Sequence, residues 1–504
     1  MASITELPPQ HRQRNGCRML SLPCSSCQCF MQTGNPNELQ VTWISSDGQD
    51  QDPTLWYRSN AMSHTEALRQ QPSAISYSPG DICGESDIKL LRDPGIIYSA
   101  VMTDLTPNTA YTYWYGFDNT SSEDILSPKR AITSPQPTTN TGQQTTCRMI
   151  AFADMGVWLD KHLVNWQSKP VVDLIQRMIN NTDKRIDMIA HIIDIPYTDA
   201  TSKKHVWEKF FYHIESIATL VPYHVAIGHG EYDHTSTPSS RKSKGVETQK
   251  KPTWSNYGNN YADVCGVPMA ERFPMPQSPG SNGVFWYGVN VANVHFVMIS
   301  TEHDLSPGSV QLNWLRYDLS AVNRATQPWV IVAGHRPLYN NEKRQKDDDL
   351  PVQLKLREIL NPVFAEFDVN LYVCGHYHNY VRTTPISRNG SVTSVGTVHI
   401  TVGTGGADLG SGQYHSVPWV AKNLTTFGVI SIETVGPERM IVQFVSSSGT
   451  VLDSTILNLP SKPSTTQPHV TGISAGSSDS LPSTYTVVLT VHTLCLTYMI
   501  MIMT

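Results

Sequence analysis

Beyond residue 147, five apolar runs each end in side chains that bind metal ions. "RMIAFADMG" ends at Asp154, "IDMIAHIIDIPY" at Asp194 and Tyr197, "HVAIGHGE" at His229, "WVIVAGHRPLY" at His335, and "LYVCGHYHNY" at His376 and His378. One histidine after a strand is usually a packed or surface residue. Five successive strand ends carrying Asp, Asp with Tyr, His, His and then His-x-His form a constellation. In an α/β sheet the carboxyl ends of parallel strands lie on one side, so residues far apart in sequence converge there. Carboxylates and imidazoles in similar number, with no thiolate nearby except Cys374 inside a strand, suit Fe, Zn, Mn or Ni rather than copper or iron–sulfur chemistry. Six or seven donors exceed one tetrahedral site and match two ions about 4 Å apart that share a bridging carboxylate. Such a pair activates water and neutralises an oxyanion, which is the chemistry of phosphoester hydrolysis.

The elements that must position these residues show in the periodicity. From 34 to 140 the chain reads as short turn-bounded strands, with Tyr111, Tyr113 and Tyr115 alternating with Thr112, Trp114 and Gly116, a period of two that predicts an immunoglobulin-like or fibronectin-like sandwich. "PQPTTNTGQQTT" is a linker by composition. From 145 to 460 apolar strands alternate with helical stripes, Val172, Ile175, Met178 and Ile179 on one and Leu356, Leu360 and Phe364 on another, which predicts an α/β domain. That domain closes on three β-like runs, "FGVISIET", "RMIVQFVSS" and "VLDSTILNL". Residues 1–33 read as an unassigned leader. His191, His295 and His303 lie in or beside strands and are expected to pack rather than bind metal.

In this order, the blocks Asp-x-Gly, Asp-x-x-Tyr, Gly-x-x-Glu, Gly-His-Arg-Pro and Gly-His-x-His-x-Tyr-x-Arg resemble those of the metallophosphoesterases, and specifically the purple acid phosphatases. "CGVPMAERFPMP", "VHFVMISTEHDLSPGSVQLNWLRYDL" and "LTPNTAYTYWYGF" extend the likeness to the long, plant-type form, from about residue 34 to 460. The resemblance implies a four-layer αββα catalytic domain behind a fibronectin III-like β-sandwich. It also implies that Asp154, Tyr197 and His378 hold a ferric ion, Fe(III), and that Asp194 bridges to a divalent Zn, Fe or Mn ion bound by His335 and His376. The implied substrate is a phosphate monoester.

Two blocks depart from the family. Ile193 replaces a glycine before Asp194; if that glycine served a positive φ, a β-branched residue there strains the loop by about 1–3 kcal/mol. Where the family has Gly-Asn-His-Glu, this chain has Gly228-His229-Gly230-Glu231. A neutral imidazole at His229 replaces the amide ligand, with a swing into the catalytic role as the alternative. Gly230 replaces nothing, so a positioned acid or phosphate contact is lost. The expectation is a weakened acid phosphatase. An inactive surface pseudophosphatase and a phosphodiesterase or nucleotide pyrophosphatase on the same fold remain as alternatives.

The remaining features bear on partners and location. A net charge of −6 and a pI near 6.3 give no diffuse field for nucleic acid, so none is expected as partner. Four of the nine cysteines crowd the first thirty residues without a matching second pair, so neither a zinc site nor a disulfide framework is read there. That N-terminal stretch also lacks the pattern of a signal peptide. Asn119, Asn180, Asn389 and Asn423 stand in glycosylation sequons. A Ser/Thr/Pro-rich linker at 461–486 leads to an apolar tail at 487–504, the layout of a GPI-attachment signal, with a plain membrane tail as alternative. The protein is expected outside the cell. A basic insertion after the third block is expected as a loop, and the oligomeric state is not encoded in any motif.

Overall fold

The computed structural model describes residues 29–459 apart from 32, 34, 46–51, 62–65, 79–80, 82–93, 118–125, 138–144, 158–166, 182, 197–205, 233–265 and 344–348. Tyr197, Asn119, the basic insertion, the leader up to residue 28, the Ser/Thr/Pro-rich linker and the C-terminal tail therefore lie outside the described residues.

The chain starts with strands Cys29–Met31 (β1), Leu39–Ser45 (β2), Pro53–Ser59 (β3), Leu68–Gln70 (β4), Ser73–Ile75 (β5), Ile96–Met102 (β6), Ala110–Phe117 (β7) and Arg130–Thr133 (β8). They make two four-stranded sheets, ordered β1-β2-β6-β5 and β4-β3-β7-β8. Tyr111, Tyr113 and Tyr115 point into the core between them, where they meet Trp43, Leu55 and Tyr98. The sandwich begins within the expected leader, because β1 pairs antiparallel with β2, Cys29 opposite Thr42.

The second part contains Thr146–Phe152 (β9), Ser168–Ile179 (α1), Met188–His191 (β10), Val206–Ala218 (α2), Tyr223–Val225 (β11), Val267–Arg272 (α3), Tyr287–Val291 (β12), Val294–Met298 (β13), Val310–Ser320 (α4), Trp329–Ala333 (β14), Asp349–Glu366 (α5) and Leu371–Cys374 (β15). Tyr380–Thr383 (β16), Val398–Val402 (β17), Val420–Leu424 (β18), Gly428–Val435 (β19), Arg439–Ser446 (β20) and Val451–Asn458 (β21) complete it. One sheet has the order β11-β10-β9-β19-β20-β21 and the other β12-β13-β14-β15-β17-β16-β18. Strands β9, β10 and β11 run parallel in the first, and β13, β14, β15 and β17 in the second. These parallel strands read as continuous apolar runs because both faces are covered. Both helical stripes face this core: α1 buries Val172 and Ile175, with Met178 and Ile179 half-buried, and α5 buries Leu356, Leu360 and Phe364.

The sandwich and the α/β part form one compact unit ending at Pro460. Tyr113 Oη donates to Thr219 O at 3.0 Å, and Arg130 pairs with Glu215 of α2. Arg272 is buried between the rings of Tyr77, Trp207 and Phe211 and donates to Tyr77 Oη at 2.8 Å. A guanidinium can be buried there because the ring faces carry negative potential and a hydrogen bond satisfies part of its fork.

His224 and His399 are fully buried and neither ring nitrogen of either has a hydrogen-bond partner. Burial pushes both down to about 3, so they stay neutral in the folded protein while the unfolded chain takes up protons below about 6.5. Stability is then retained above pH 6.5 and is lost as pH falls toward 3, by about 2 kcal/mol per histidine at pH 5. Denaturant titration of the full chain at pH 7 and pH 5 checks this. His399→Phe should shrink the drop between the two pH values, whatever it does at pH 7, and an unchanged drop refutes the assignment.

Candidate metal centre

The carboxyl ends of the two parallel strand sets meet. Asp154 follows β9 by two residues, Asp194 follows β10 by three, His229 lies beyond β11, His335 follows β14 by two, and His376 and His378 follow β15. The two sheets touch at the site: the His376 amide donates to Asp154 Oδ2 at 2.9 Å. Within the first sheet, the Asp154 amide donates to Ile193 O at 3.1 Å, which sets the first and second loops side by side.

Asp194, His229, His335 and His376 each offer a ligand atom, and all four atoms lie within 4.8 Å of one another. His229 Nδ1 stands 3.1 Å and His335 Nε2 3.5 Å from Asp194 Oδ2, and those two nitrogens are 3.3 Å apart. The His229 and His335 rings stack 5.0 Å apart at 4°, and the His376 ring stands edge-on to both. Asp194 Oδ2 is buried and accepts no hydrogen bond of good geometry, although imidazole nitrogens surround it. A buried carboxylate oxygen with converging nitrogen donors fits a cation, and one carboxylate with three imidazoles suits a borderline divalent ion. Beside this group, His378 Nε2 lies 3.5 Å from Asp154 Oδ1, an imidazole and a carboxylate of the kinds that bind metal ions. Its expected third member, Tyr197, lies outside the described residues.

Electrostatics at the site follow from the same geometry. Burial works to raise the Asp194 carboxyl, but His229 and His335 outweigh it and hold it well below the usual range. Burial works to lower His335, yet Asp194 and Glu302 push it up to about 9. His378 is opposed by burial in the same way and is pushed up to about 10 by Asp154 and Asp408. Glu231 is pushed up to about 8, first by burial and then by the Asp194 charge. It accepts the amides of Ile195 at 2.7 Å and Gly228 at 2.9 Å, and so ties the Asp194 loop to the His229 loop.

The ligand loops are strained and closely packed. Asp154, Asp194 and His376 have φ of 56°, 46° and 69°, a region that costs L-residues roughly 1 kcal/mol or more each and recurs at functional sites. Glycines make room for two of them. A Cβ on Gly228 would stand 2.0 Å from Asp194 Oδ1, and one on Gly375 would stand 2.3 Å from Asp154 Oδ2. Ile193 does not cause the expected strain. The positive φ falls on Asp194 instead, and Ile193 is a buried core residue whose Cδ1 faces the space above Gly375.

His191, His295 and His303 pack as expected: His191 Nδ1 meets Tyr223 Oη at 2.7 Å, His295 lies between Asn290 and Asp318, and His303 Nδ1 meets Ser300 Oγ at 2.8 Å. Burial pushes the Cys374 thiol up to about 12, so it offers no thiolate. The strand-end reading gave no role to Glu302, which contacts His335 Nδ1, or to Asp408, 3.0 Å from His378 Nδ1. Neither is a metal-ligand position, and no spacing rule marks a carboxylate that acts through a histidine.

Because His335 and His378 carry protons below about pH 9 and 10, and a metal ion needs neutral imidazoles, each uptake displaces a proton. Zinc affinity measured against a chromophoric chelator should rise between pH 6 and 8, by roughly tenfold per pH unit for each proton displaced. A flat profile would show that these imidazoles are not ligands.

Three family descriptions match the chain: the purple acid phosphatase N-terminal domain over residues 27–133, the calcineurin-like phosphoesterase over 148–380, and the iron/zinc purple acid phosphatase-like protein C over 396–454. The Arabidopsis thaliana protein called probable inactive purple acid phosphatase 9 is 31% identical over 75% of this chain, which spans only 56% of that relative's length. Probable inactive purple acid phosphatase 27 of the same plant is 29% identical over 83% of this chain and 67% of its own. A nucleotide pyrophosphatase/phosphodiesterase of Hordeum vulgare is 27% identical over 67% of this chain and 90% of its own. Among solved structures, a purple acid phosphatase from yellow lupin (Lupinus luteus) seeds matches with a TM-score of 0.73 at 25% identity, covering 86% of this chain and 74% of the lupin chain.

Proposed function

The chain belongs to the purple acid phosphatase family of metallophosphoesterases, and from that premise we propose that it is an acid phosphatase hydrolysing phosphate monoesters at a dinuclear metal centre, slowed by its own departure at residues 229 and 230. The observation that carries this reading is the convergence of Asp194, His229, His335 and His376 on one point. In it, these four would hold the divalent ion, and Asp154, His378 and Tyr197 would hold a ferric ion beside it, with Asp194 serving both. When bound, the ions supply an activated water and neutralise charge on the phosphoryl oxygens.

This chain's residues prepare the site for that chemistry. His229 stands beside His335 as a ligand in place of the family's amide. The Gly230 amide donates to Asp194 Oδ1 at 3.1 Å and steadies the bridging carboxylate, but it brings no side chain to bind phosphate or move a proton. Loss of such a group costs a factor of about 10²–10⁴. That absence, together with relatives called probable inactive, favours one second reading, a phosphatase fold kept for binding. The barley relative motivates a diesterase assay beside the monoesterase one.

Gly230 has no positive φ, and a Cβ there would meet only Asp194 Oδ1, at 3.4 Å, so the position can carry a side chain. Metal content and hydrolysis of p-nitrophenyl phosphate at acid pH, with bis(p-nitrophenyl) phosphate in parallel, should give two metals and slow monoester turnover in the parent. His229→Asn with Gly230→His should raise turnover about 10²-fold. Two metals and no turnover in either protein would favour the binding reading, and fewer than two metals would reject the dinuclear centre.

The sequons and the apolar run at 487–504 motivate a further proposal, an extracellular, membrane-attached glycoprotein. Asn180 and Asn389 are exposed and Asn423 is half-buried. Endoglycosidase treatment should shift the mass, and Asn180→Gln with Asn389→Gln should remove most of that shift. Release from cells by a phosphatidylinositol-specific phospholipase is the expected outcome for a GPI anchor, and retention rejects it.

A further inference from the structure

Glu302 lies four residues beyond β13, buried, and its carboxylate holds two groups at once. Oε1 contacts His335 Nδ1 and accepts from Arg336 Nε at 2.9 Å, while Oε2 accepts from Arg336 Nη2 at 3.2 Å. Arg336 Nη1 in turn lies 3.5 Å from His376 Nε2. The backbone keeps this arrangement in place: the Arg336 amide donates to Thr301 Oγ1 at 3.0 Å, and Arg336 O accepts from Tyr372 Oη at 2.9 Å. One carboxylate is therefore joined directly to one ligand of the metal cluster and, through a guanidinium, to another.

We propose that Glu302 is a positioning residue for the divalent ion: it keeps a proton on His335 Nδ1, so that Nε2 presents its lone pair toward Asp194, and it anchors the arginine packed against His376. The inference rests on the metal-centre reading above and deepens it. An imidazole can turn about its Cβ–Cγ bond and can carry its proton on either nitrogen, and a carboxylate on Nδ1 settles both choices and makes Nε2 the more basic donor. Arg336 makes the burial of that carboxylate tolerable, because a buried charge is retained only when it is paired and hydrogen-bonded. The competing role is purely structural, an ion pair that fastens the turn after β13 to the turn after β14.

The two roles separate in the full-length protein with Co²⁺ and Zn²⁺ as the only added metals. With histidine rings labelled with ¹⁵N, His335 should show a far-downfield, slowly exchanging Nδ1–H, identified by its loss in His335→Gln and present with and without Zn²⁺. Glu302→Gln should lose that signal and bind Co²⁺ 10–100-fold more weakly by its visible absorption, with Glu302→Asp in between. Equal Co²⁺ affinity in the parent and Glu302→Gln would overturn the proposal and leave the ion pair as fastening alone. If Glu302→Gln does not fold, the unmutated protein still decides: a rapidly exchanging, unshifted His335 ring proton overturns the proposal. Hydrolysis is not measured, so a chain that binds Co²⁺ with this dependence yet cleaves no phosphate ester keeps this inference and loses the phosphatase reading.

Discussion

The arrangement of the strand-end loops centres on one buried charge, the Asp194 carboxylate. It is shielded from water, and an ionised carboxylate in that position is strongly unfavourable unless cationic or hydrogen-bond-donating groups surround it. Imidazoles from the ends of β11 and β14 and the Gly230 amide fill that need in part. One oxygen, Oδ2, is left with nitrogens around it and no proper hydrogen bond. The raised His335 and Glu231, the strained loops and the close-packed glycines all relate to holding this one group where a metal ion can complete it.

Holding it takes backbone that is unfavourable in isolation. Positive φ at Asp154, Asp194 and His376 turns each chain sharply off a strand end so that the side chain reaches back over the sheet edge. Bare glycines at 228 and 375 let the carboxylates of Asp194 and Asp154 approach within distances that a Cβ would forbid. The parallel strands beneath are buried on both faces, and their packing supplies the stability that keeps these turns in place. Ile193 belongs to that packing, and the positive φ falls on the next residue, which is why a β-branched residue is accommodated beside Asp194.

The exchange of residues at 229 and 230 has two separate consequences. An imidazole at 229 gives the divalent group three nitrogen donors and one carboxylate, a set with no disadvantage for binding zinc or ferrous iron. A glycine at 230 places its amide on the Asp194 carboxylate and contributes no side chain there. The two changes therefore act on different things, one on a ligand-type atom and the other on the space beside it, in a chain whose relatives are named both as a purple acid phosphatase and as probable inactive ones.

The sequence by itself determined the order of elements and the ligand types. Alternation at Tyr111, Tyr113 and Tyr115 reports a strand facing a core, and Asp154, Asp194, His335 and His376 stand at strand ends because apolar runs stop there, signals that are local along the chain. It located the start of the sandwich too late, since β1 exists only through pairing with β2, and it placed strain on Ile193, since no periodicity reveals φ. Only the tertiary structure decided that His229 stacks on His335, that Glu231 clamps two loops, and that Glu302 and Asp408 back two histidines. Those facts depend on distances between segments tens to hundreds of residues apart, which the packing of the two sheets fixes and no spacing in the sequence records.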